Sequence, residues 1–353
     1  MEKVLRKEGA DDRTALPKNT VLLTKDEVDK AAAIIRDGGL VAMPTETVYG
    51  LAADALNGKA VANIFRAKGR PMDNPLIVHI AEVEQIQPLV RIFPEKARKL
   101  AEAFWPGPLT MILPKSDRIP DEVSAGLDTV AVRCPADETA RRLIQLSAPL
   151  AAPSANLSGS PSPTTVRHVW QDMNGRIDAV IDGGDCRVGV ESTVITLATE
   201  PPCLLRPGGI TLEQLRQVIG EVAVDDAVLH PLKQGQQAAS PGMKYKHYAP
   251  KANVVLLKGS EEAFLRFVHT HADDKTAVLC YEEEQSALQM PYLVLGKAED
   301  YPEQANRLFT LLRQADEEGC QTLYAHCPTT EGVGLAVYNR IIRAAGFEVI
   351  DLD

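Results

Sequence analysis

The stretch AKGRPMDNPLIVHI, residues 67–80, places basic and polar side chains directly before an apolar strand. Lys68 and Arg70 follow a predicted helix, Asn74 precedes a proline, and His79 interrupts a run of leucine, isoleucine and valine. Lysine as a point charge and arginine as a planar fork suit phosphate oxygens or a carboxylate, and asparagine adds a directed donor. The alternative is that the cations complement the helix dipole, the asparagine forms a turn and the histidine belongs to the core. The stretch therefore predicts either a simple turn or a site for an anion.

Polar side chains also stand at the ends of other predicted strands. The segment PTETVYGLAAD (44–54) places Thr45 and Thr47 just after a strand, where α/β sheets tend to bind ligands. The alternative there is a β-turn. The segment APSANLSGSPSPT (152–164) is either a flexible loop or a phosphate cradle of hydroxyl, amide and backbone N–H groups, formed by Ser154, Asn156, Ser158, Ser160 and Ser162.

Three further polar side chains lie within or beside apolar strands. Arg133, inside TVAVRCP (129–135), needs an anionic partner from the protein or from a ligand. Ser192 in GVEST and Arg206 in LLRPGG extend the set. The set contains donors and cations but no evident nucleophile–base pair, and the sequence has no GxxxxGK[ST], GxSxG or HExxH motif. Such residues suit chemistry done by positioning and charge stabilisation, as in transfer at a nucleotide phosphate.

Length and cysteine content limit the class of protein. At 353 residues the chain is long for one domain, so two domains are expected. Six cysteines are scattered without a CxxC pair, which predicts reduced thiols and a cytoplasmic location rather than a disulfide frame or a zinc site. No apolar run reaches the roughly 18 residues of a membrane span, so no membrane association is expected.

The net charge of −10 is distributed unevenly. Residues 1–215 have 25 basic and 28 acidic side chains, whereas residues 253–353 have 8 basic and 17 acidic ones. Proteins that hold nucleic acid firmly usually present a basic face, and the acidic C-terminal part repels phosphate backbones. Tight binding of tRNA is therefore not expected.

Predicted helices and strands alternate along the chain. TKDEVDKAAAIIRDGG (24–39) is an amphipathic helix with Thr24 and Glu27 as a capping box. Further helices are predicted at 58–69, 94–105, 137–147 and 211–220, and strands at 40–44, 76–80, 109–114, 129–135, 178–184, 192–198 and 203–209. This mixture predicts a twisted α/β sheet with helices packed on it. A second alternation near the C-terminus predicts a compact Rossmann-like α/β unit without GxGxxG.

We divide the chain into four predicted segments on this basis. They are an N-terminal extension (1–23), a first domain (24–220), a linker (221–251) and a C-terminal domain (252–353). The linker has no clean periodicity and is rich in glutamine, serine, glycine and proline.

Four motifs in this order, PTETVYGL, KGRPMDNPL, SAN and SPGMKYKHYAP, resemble those of the threonylcarbamoyl-AMP synthases in their two-domain form. The resemblance implies a YrdC-like domain, which is a twisted mixed α/β sheet with a concave cavity, followed by the linker and a small Rossmann-like α/β domain. It implies a nucleotidyltransferase that makes threonylcarbamoyl-adenylate and pyrophosphate from L-threonine, bicarbonate and ATP. The product serves the modification of tRNAs that read ANN codons, so handover to the tRNA threonylcarbamoyl transferase complex is expected.

The resemblance also implies roles for individual residues. Lys68 and Arg70 match the family's K-x-R pair and Ser154 and Asn156 its S-x-N pair, and these four are the expected catalytic residues. The residues expected to contact ATP are Arg70, Asn74, Thr129, Ser154, Ser162, Arg206 and Tyr248. Those expected around threonine are Thr47, His79, Arg133 and Ser192, with Arg133 as the partner of its carboxylate. Mg²⁺ is expected together with ATP, and no tightly bound metal site is expected in the protein.

The linker has a predicted role of its own. Both the carbamate intermediate and the adenylate product hydrolyse easily, so the reaction needs a site from which water is excluded. We interpret the aromatic and basic linker as a lid over the cavity that brings Tyr248 near the nucleotide.

Two other functions stay open at this point. A double-stranded RNA-binding module without synthase activity fits the concave basic surface of relatives of this fold, although the charge distribution weighs against tight binding. A carbamoyl-transferring relative, like the YrdC-like domain of hydrogenase-maturation carbamoyltransferases, would carry zinc-finger and acylphosphatase segments, and neither is apparent in the sequence.

Overall fold

The computed structural model describes residues 19–231 and 248–352 of the chain. The predicted N-terminal extension up to residue 18 lies outside the described residues, and so does the linker from 232 to 247, with all but the last three residues of SPGMKYKHYAP. The division into four segments therefore stays a prediction. Within the two described ranges, no helix is long and apolar enough to cross a membrane.

The first part of the chain forms a large mixed sheet with helices on both faces. Its strands are β1 (Val21–Thr24), β2 (Val41–Met43), β3 (Gly50–Asp54), β4 (Ile77–His79), β5 (Leu109–Pro114), β6 (Thr129–Arg133), β7 (Leu150–Ala151), β8 (Ala179–Asp182), β9 (Thr193–Thr196), β10 (Cys203–Arg206) and β11 (Ala223–Val224). Its helices are α1 (Val28–Arg36), α2 (Gly58–Lys68), α3 (Glu95–Phe104), α4 (Asp121–Ser124), α5 (Glu138–Leu146), α6 (Val166–Met173) and α7 (Leu212–Ile219).

The side-chain alternation of the strands produces two apolar layers. The sheet has the order β1-β8-β2-β3-β7-β4-β6-β5-β9-β10-β11 across the described residues. In β2, Val41 and Met43 pack in the layer that α1 and α5 cover, and Ala42 packs in the layer that α2, α3, α6 and α7 cover. β4 runs parallel to β6 with His79 paired to Arg133, so these two predicted site residues end neighbouring strands at one edge of the sheet.

The predicted elements of this domain are confirmed, with ends that differ by a few residues. The capping box of Thr24 and Glu27 is present, but it opens a 3₁₀ turn (Lys25–Glu27) that continues into α1 and not a helix that starts at once. Among the elements that were not predicted are the strands β1, β3 and β11 and the short helix α4. The sequence of β3, GLAAD, has a low β propensity, and the segment is a strand because it pairs with β2 and β7 on its two sides.

The C-terminal part forms the Rossmann-like unit that the second alternation predicts. Its strands are β12 (Asn253–Lys258), β13 (Thr276–Tyr281), β14 (Tyr292–Gly296), β15 (Thr322–His326) and β16 (Val349–Asp351), and its helices are α8 (Glu261–His271), α9 (Tyr301–Glu317) and α10 (Gly334–Ala344). The strands pair in parallel in the order β14-β13-β15-β12-β16. α8 packs on one face of this sheet, whereas α9 and α10 pack on the other.

α9 and α10 also pack against the larger domain. Their apolar core includes Val48 and Val190 from that domain. Asn306 Nδ2 on α9 donates to the carbonyl groups of Cys186 and Arg187, each at 2.9 Å. The two domains therefore share apolar and polar contacts around the segment that precedes β9.

Candidate active site

A pocket of about 580 Å³ lies in the larger domain at the edge where β4, β6 and β10 end. Eight of the predicted site residues line it, namely Thr47, Arg70, His79, Arg133, Ser154, Ser192, Arg206 and Tyr248. Five others do not belong to its lining, namely Lys68, Asn74, Thr129, Asn156 and Ser162. The small number of converging polar groups is typical of a site for a small molecule.

Arg133, at the end of β6, has the anionic partner that its place in an apolar strand requires. Its Nη2 lies 2.7 Å from Glu46 Oε1, and both side chains are buried. Its Nη1 donates to Thr47 Oγ1 at 2.9 Å. Burial raises the pKa of Glu46, but the charge and hydrogen bond of Arg133 outweigh burial and hold the pKa of this carboxyl below its usual value. The guanidinium is thus a charged group held in one orientation in the pocket wall.

His79, at the end of β4, is a buried ring that also faces the pocket. Its Nδ1 lies 3.2 Å from the carbonyl oxygen of Ile77, which can only accept, and in the tautomer with the proton on this nitrogen Nε2 is an acceptor. Burial and the neighbouring Arg133 lower the pKa of His79 to about 3. The ring is therefore neutral at neutral pH and suits a hydrogen bond from a hydroxyl or amine of a ligand.

Arg206 and Arg70 add two further guanidinium groups to the lining. Arg206 donates through Nε to the carbonyl of Ser192 at 3.0 Å and through Nη2 to Ser192 Oγ at 3.1 Å. Arg70 Nη2 donates to the carbonyl of Asn74 at 3.1 Å. Burial lowers the pKa of Arg70 to about 10, which still leaves it charged at neutral pH. With Arg133, three cations line one pocket, an arrangement suited to a polyanion.

Lys68, at the end of α2, points into the protein and shapes the neighbouring loop. Its Nζ donates to the carbonyl oxygens of Ser154 at 2.5 Å and Asn156 at 2.7 Å, and its side chain is buried. Burial and the nearby Arg70 lower the pKa of Lys68 well below its usual value. Lys68 therefore fixes the loop that brings Ser154 to the pocket, and its direct contact with a ligand stays a prediction.

The other four predicted residues that do not line the pocket have different places in the structure. Asn156 Nδ2 donates to the carbonyl groups of Leu157 and Ser160, both at 2.8 Å. Asn74 is buried and holds Arg70 through its carbonyl. Thr129 begins β6, whereas Arg133 ends it. Ser162 is buried, and its hydroxyl donates to Glu191 Oε1. Their contacts with ATP stay predictions.

Three charged residues of the site were not predicted. Glu46 had an indirect signal, because Arg133 requires an anion and PTETVYG supplies one. Glu191 lines the pocket and stands in the GVEST motif, beside the predicted Ser192. Its partner Arg340 comes from α10 of the other domain, with Nε 2.7 Å from Glu191 Oε2. An arginine in an amphipathic helix gives no signal of such a role, since most are solvent-exposed.

Two family models match the chain. The model described as telomere recombination matches residues 33–208, and the model described as threonylcarbamoyl-AMP synthase, C-terminal domain, matches residues 210–346.

Relatives of known activity and structure match both domains. The threonylcarbamoyl-AMP synthase of Pyrococcus abyssi is 48% identical over 91% of this chain and 94% of its own length, and that of Bacillus subtilis is 46% identical over 93% and 96%. The crystal structure of P. abyssi Sua5 complexed with L-threonine has a TM-score of 0.86 at 45% identity and covers 95% of this chain and 100% of that one. The predicted fold class, a YrdC-like sheet followed by a Rossmann-like unit, is confirmed by this similarity.

Proposed function

The chain belongs to the threonylcarbamoyl-AMP synthase family, and we propose that its pocket is where L-threonine and ATP are joined through a carbamate. The products are threonylcarbamoyl-AMP and pyrophosphate. The observation that carries the proposal is the convergence of three arginines and a neutral histidine on one pocket. The relative crystallised with L-threonine supports threonine as the amino acid.

The threonine half of the pocket is proposed around Arg133. Its guanidinium is already oriented by Glu46, Thr47 and the carbonyl of Gly107 and it lines the pocket, so the carboxylate of threonine is placed against its remaining N–H groups. His79 Nε2 is the acceptor for the hydroxyl or the amine of threonine. Because the ring is neutral, it adds no second positive charge beside the amine.

The nucleotide half is proposed around Arg70, Arg206, Ser154 and Tyr248. The neutral amine of threonine displaces water from bicarbonate to form a carbamate, whose oxygen attacks the α-phosphorus of ATP while the bond to pyrophosphate breaks. The substrates thus supply both the nucleophile and the leaving group. The protein's contribution is to place the carbamate in line with that bond and to neutralise charge on the phosphate oxygens, which the arginines provide.

Mg²⁺ enters this scheme as part of the substrate MgATP. Glu191, which lines the pocket, and Glu46, which pairs with the lining residue Arg133, are each held by an arginine. No group of three or more histidine, cysteine, aspartate or glutamate side chains placed to hold a metal occurs in ranges 19–231 and 248–352. These residues do not fit a resident metal, so no step is assigned to one.

The product requires a consumer, because an acyl-adenylate hydrolyses in water. We propose direct handover to the tRNA threonylcarbamoyl transferase complex in the cytoplasm. All six cysteines are free thiols in the structure, which supports a reducing compartment. The acidic C-terminal part supports a protein partner and not tRNA as the direct contact.

Pyrophosphate release tests the proposal. The purified chain is incubated with MgATP, L-threonine and bicarbonate, and each is omitted in turn. We expect release that requires all three, with threonine preferred over serine. Release without threonine or bicarbonate, or no release, contradicts the proposal. A filter-binding assay with double-stranded RNA at varied salt then tests the alternative of an RNA-binding module.

A further inference from the structure

One buried ion pair connects the pocket to the C-terminal domain. Glu191, beside β9, accepts from Arg340 Nε at 2.7 Å, and Arg340 Nη2 also donates to the Glu191 backbone carbonyl at 3.3 Å. Glu191 is 6% exposed and lines the pocket, whereas Arg340 is fully buried and lies behind it. The pair therefore joins a residue of the pocket wall to a helix of the other domain.

Arg340 is itself fixed by contacts with the larger domain and its own helix. Its Nη1 donates to the carbonyl of Pro207 at 2.9 Å and to Asn339 Oδ1 at 2.8 Å. Asn339 Nδ2 in turn donates to the carbonyl of Val228 at 2.7 Å. The guanidinium also lies over the ring of Tyr248, 5.6 Å from its centroid. The position of Arg340 thus depends on the docking of α10.

From this geometry we propose that Arg340 is a positioning residue for the synthase reaction. Its side chain holds the Glu191 carboxylate away from Arg206, so that Arg206 can bind the phosphates of ATP. The inference rests on the proposed function. It gives the C-terminal domain a role in the site of the larger domain, although none of the described residues of the C-terminal domain lines the pocket.

The charges around Glu191 support a competition between Arg340 and Arg206 for its carboxylate. Arg340 and Arg206 are the two cations that stabilise its charged form, and Ser162 donates to its Oε1. Lys68 and Tyr248 are the other titratable groups that face it. Without Arg340, Arg206 is the remaining strong partner of the carboxylate. An ATP phosphate would then compete with Glu191 for the same guanidinium.

Variants at the pair test the inference through kinetics with ATP. We expect Arg340→Met to raise KM for ATP at least tenfold at pH 8 and to change KM for threonine less than threefold. The double variant E191Q/R340M also removes the competing carboxylate charge, so it should bring KM for ATP back to within threefold of the parent.

A matched control separates positioning from loss of stability. Arg313→Met removes another buried inter-domain ion pair, 2.8 Å from Asp172, together with a hydrogen bond to the carbonyl of Pro161, but no contact of the Glu191 carboxylate itself. We expect it to lower the melting temperature and to leave KM for ATP within threefold of the parent. Should Arg340→Met fail to fold, Arg340→Gln, which can still donate to Pro207, takes its place with the same expected result.

The outcomes distinguish this inference from the proposed function. If the parent protein shows no threonine-dependent pyrophosphate release, the proposed function fails, and MgATP titration by calorimetry of the same variants decides the inference. If the parent is active, an unchanged KM for ATP in Arg340→Met overturns the inference. So does a double variant that is as impaired as Arg340→Met, because Arg340 would then act independently of Glu191.

Discussion

The ion pair of Arg133 with Glu46 lies almost fully buried in the wall of the pocket. A buried arginine that is held by partners in this way keeps one orientation, and removing its carboxylate partner would leave an uncompensated buried charge. The neutral ring of His79 lies beside it in register. At the residue scale the pocket therefore combines fixed charge with a neutral acceptor, and each can be tested separately.

Arg133→Lys tests the fixed fork. Lysine keeps the charge but cannot contact Glu46, Thr47 and a substrate carboxylate together. We expect KM for threonine to rise roughly 10- to 100-fold, which corresponds to one charge-assisted contact, while KM for ATP changes by less than about threefold. Steady-state kinetics of pyrophosphate release measures both. An equal rise in the two KM values would assign Arg133 to the nucleotide.

His79 makes the stability of the fold depend on pH. Its pKa is about 3 in the folded protein and 6.5 as an unperturbed value, so the unfolded chain takes up the proton first and stability falls as the pH drops below 6.5. At pH 5 this term costs about 2 kcal/mol. We expect His79→Gln to lose about that much less stability than the parent between pH 7.5 and pH 5 in urea unfolding. Identical losses would mean that the ring is protonated when folded.

The residue types predicted which side chains gather at the pocket. They predicted less well which groups each side chain contacts. Arg133 was correctly expected to need an anion, but the sequence does not show that Glu46 supplies it. Lys68 and Ser154 were expected to act together, and they do meet. However, the lysine binds the backbone of the loop, because its position at the buried end of α2 directs it inward. The direction in which a side chain points depends on how its helix or strand packs, and the spacing of residues in the sequence does not reveal this packing.

At the element scale, the segment between β8 and β9 brings Glu191 and Ser192 to the pocket. Asn306 of α9 holds its backbone through two carbonyl groups. Gly189 in this segment has φ +81°, and a Cβ there would lie 2.3 Å from Asn306 Cα. The segment and the helix thus approach so closely that only glycine fits at this point.

Gly189→Ala is expected to separate these two elements. The positive φ alone costs about 1–2 kcal/mol for an L-residue, and the contact with α9 adds to this. We expect a loss of more than about 2 kcal/mol in unfolding free energy together with a higher KM for ATP. Gly184→Ala is the control, since its φ is +79° but nothing lies within 4 Å of its Cβ position. Equal losses of unfolding free energy in the two variants would show that the close approach of α9 adds nothing to the cost of the positive φ.

The order of helices and strands was predictable because the apolar periodicity of each element indicates which of its faces is buried. In α9 the buried residues Leu308, Leu311, Leu312 and Ala315 follow the helical repeat. The same periodicity does not tell which partner covers a helix. α9 and α10 face both their own sheet and the larger domain, so the role of Arg340 follows only from the docked structure.

At the scale of the whole molecule, the two domains share buried arginines as well as an apolar core. Arg340 and Arg313 are each paired across the interface, and Arg343 donates to the carbonyl of Ala227. Separation of the domains would leave these buried charges without their partners, which is strongly unfavourable. The domains should therefore behave as one thermodynamic unit despite their separate sheets.

Calorimetry can test this coupling. We expect a single thermal transition whose calorimetric and van't Hoff enthalpies agree, and MgATP with threonine should shift the whole transition upward. At about 100 times the dissociation constant, a ligand that binds only the folded protein adds about 2.7 kcal/mol of stability. Because the ligands contact the larger domain while Arg340 connects it to α10, the C-terminal domain should share this gain. Two transitions, with only one shifted by the substrates, would show that the interface does not couple the stabilities of the two domains.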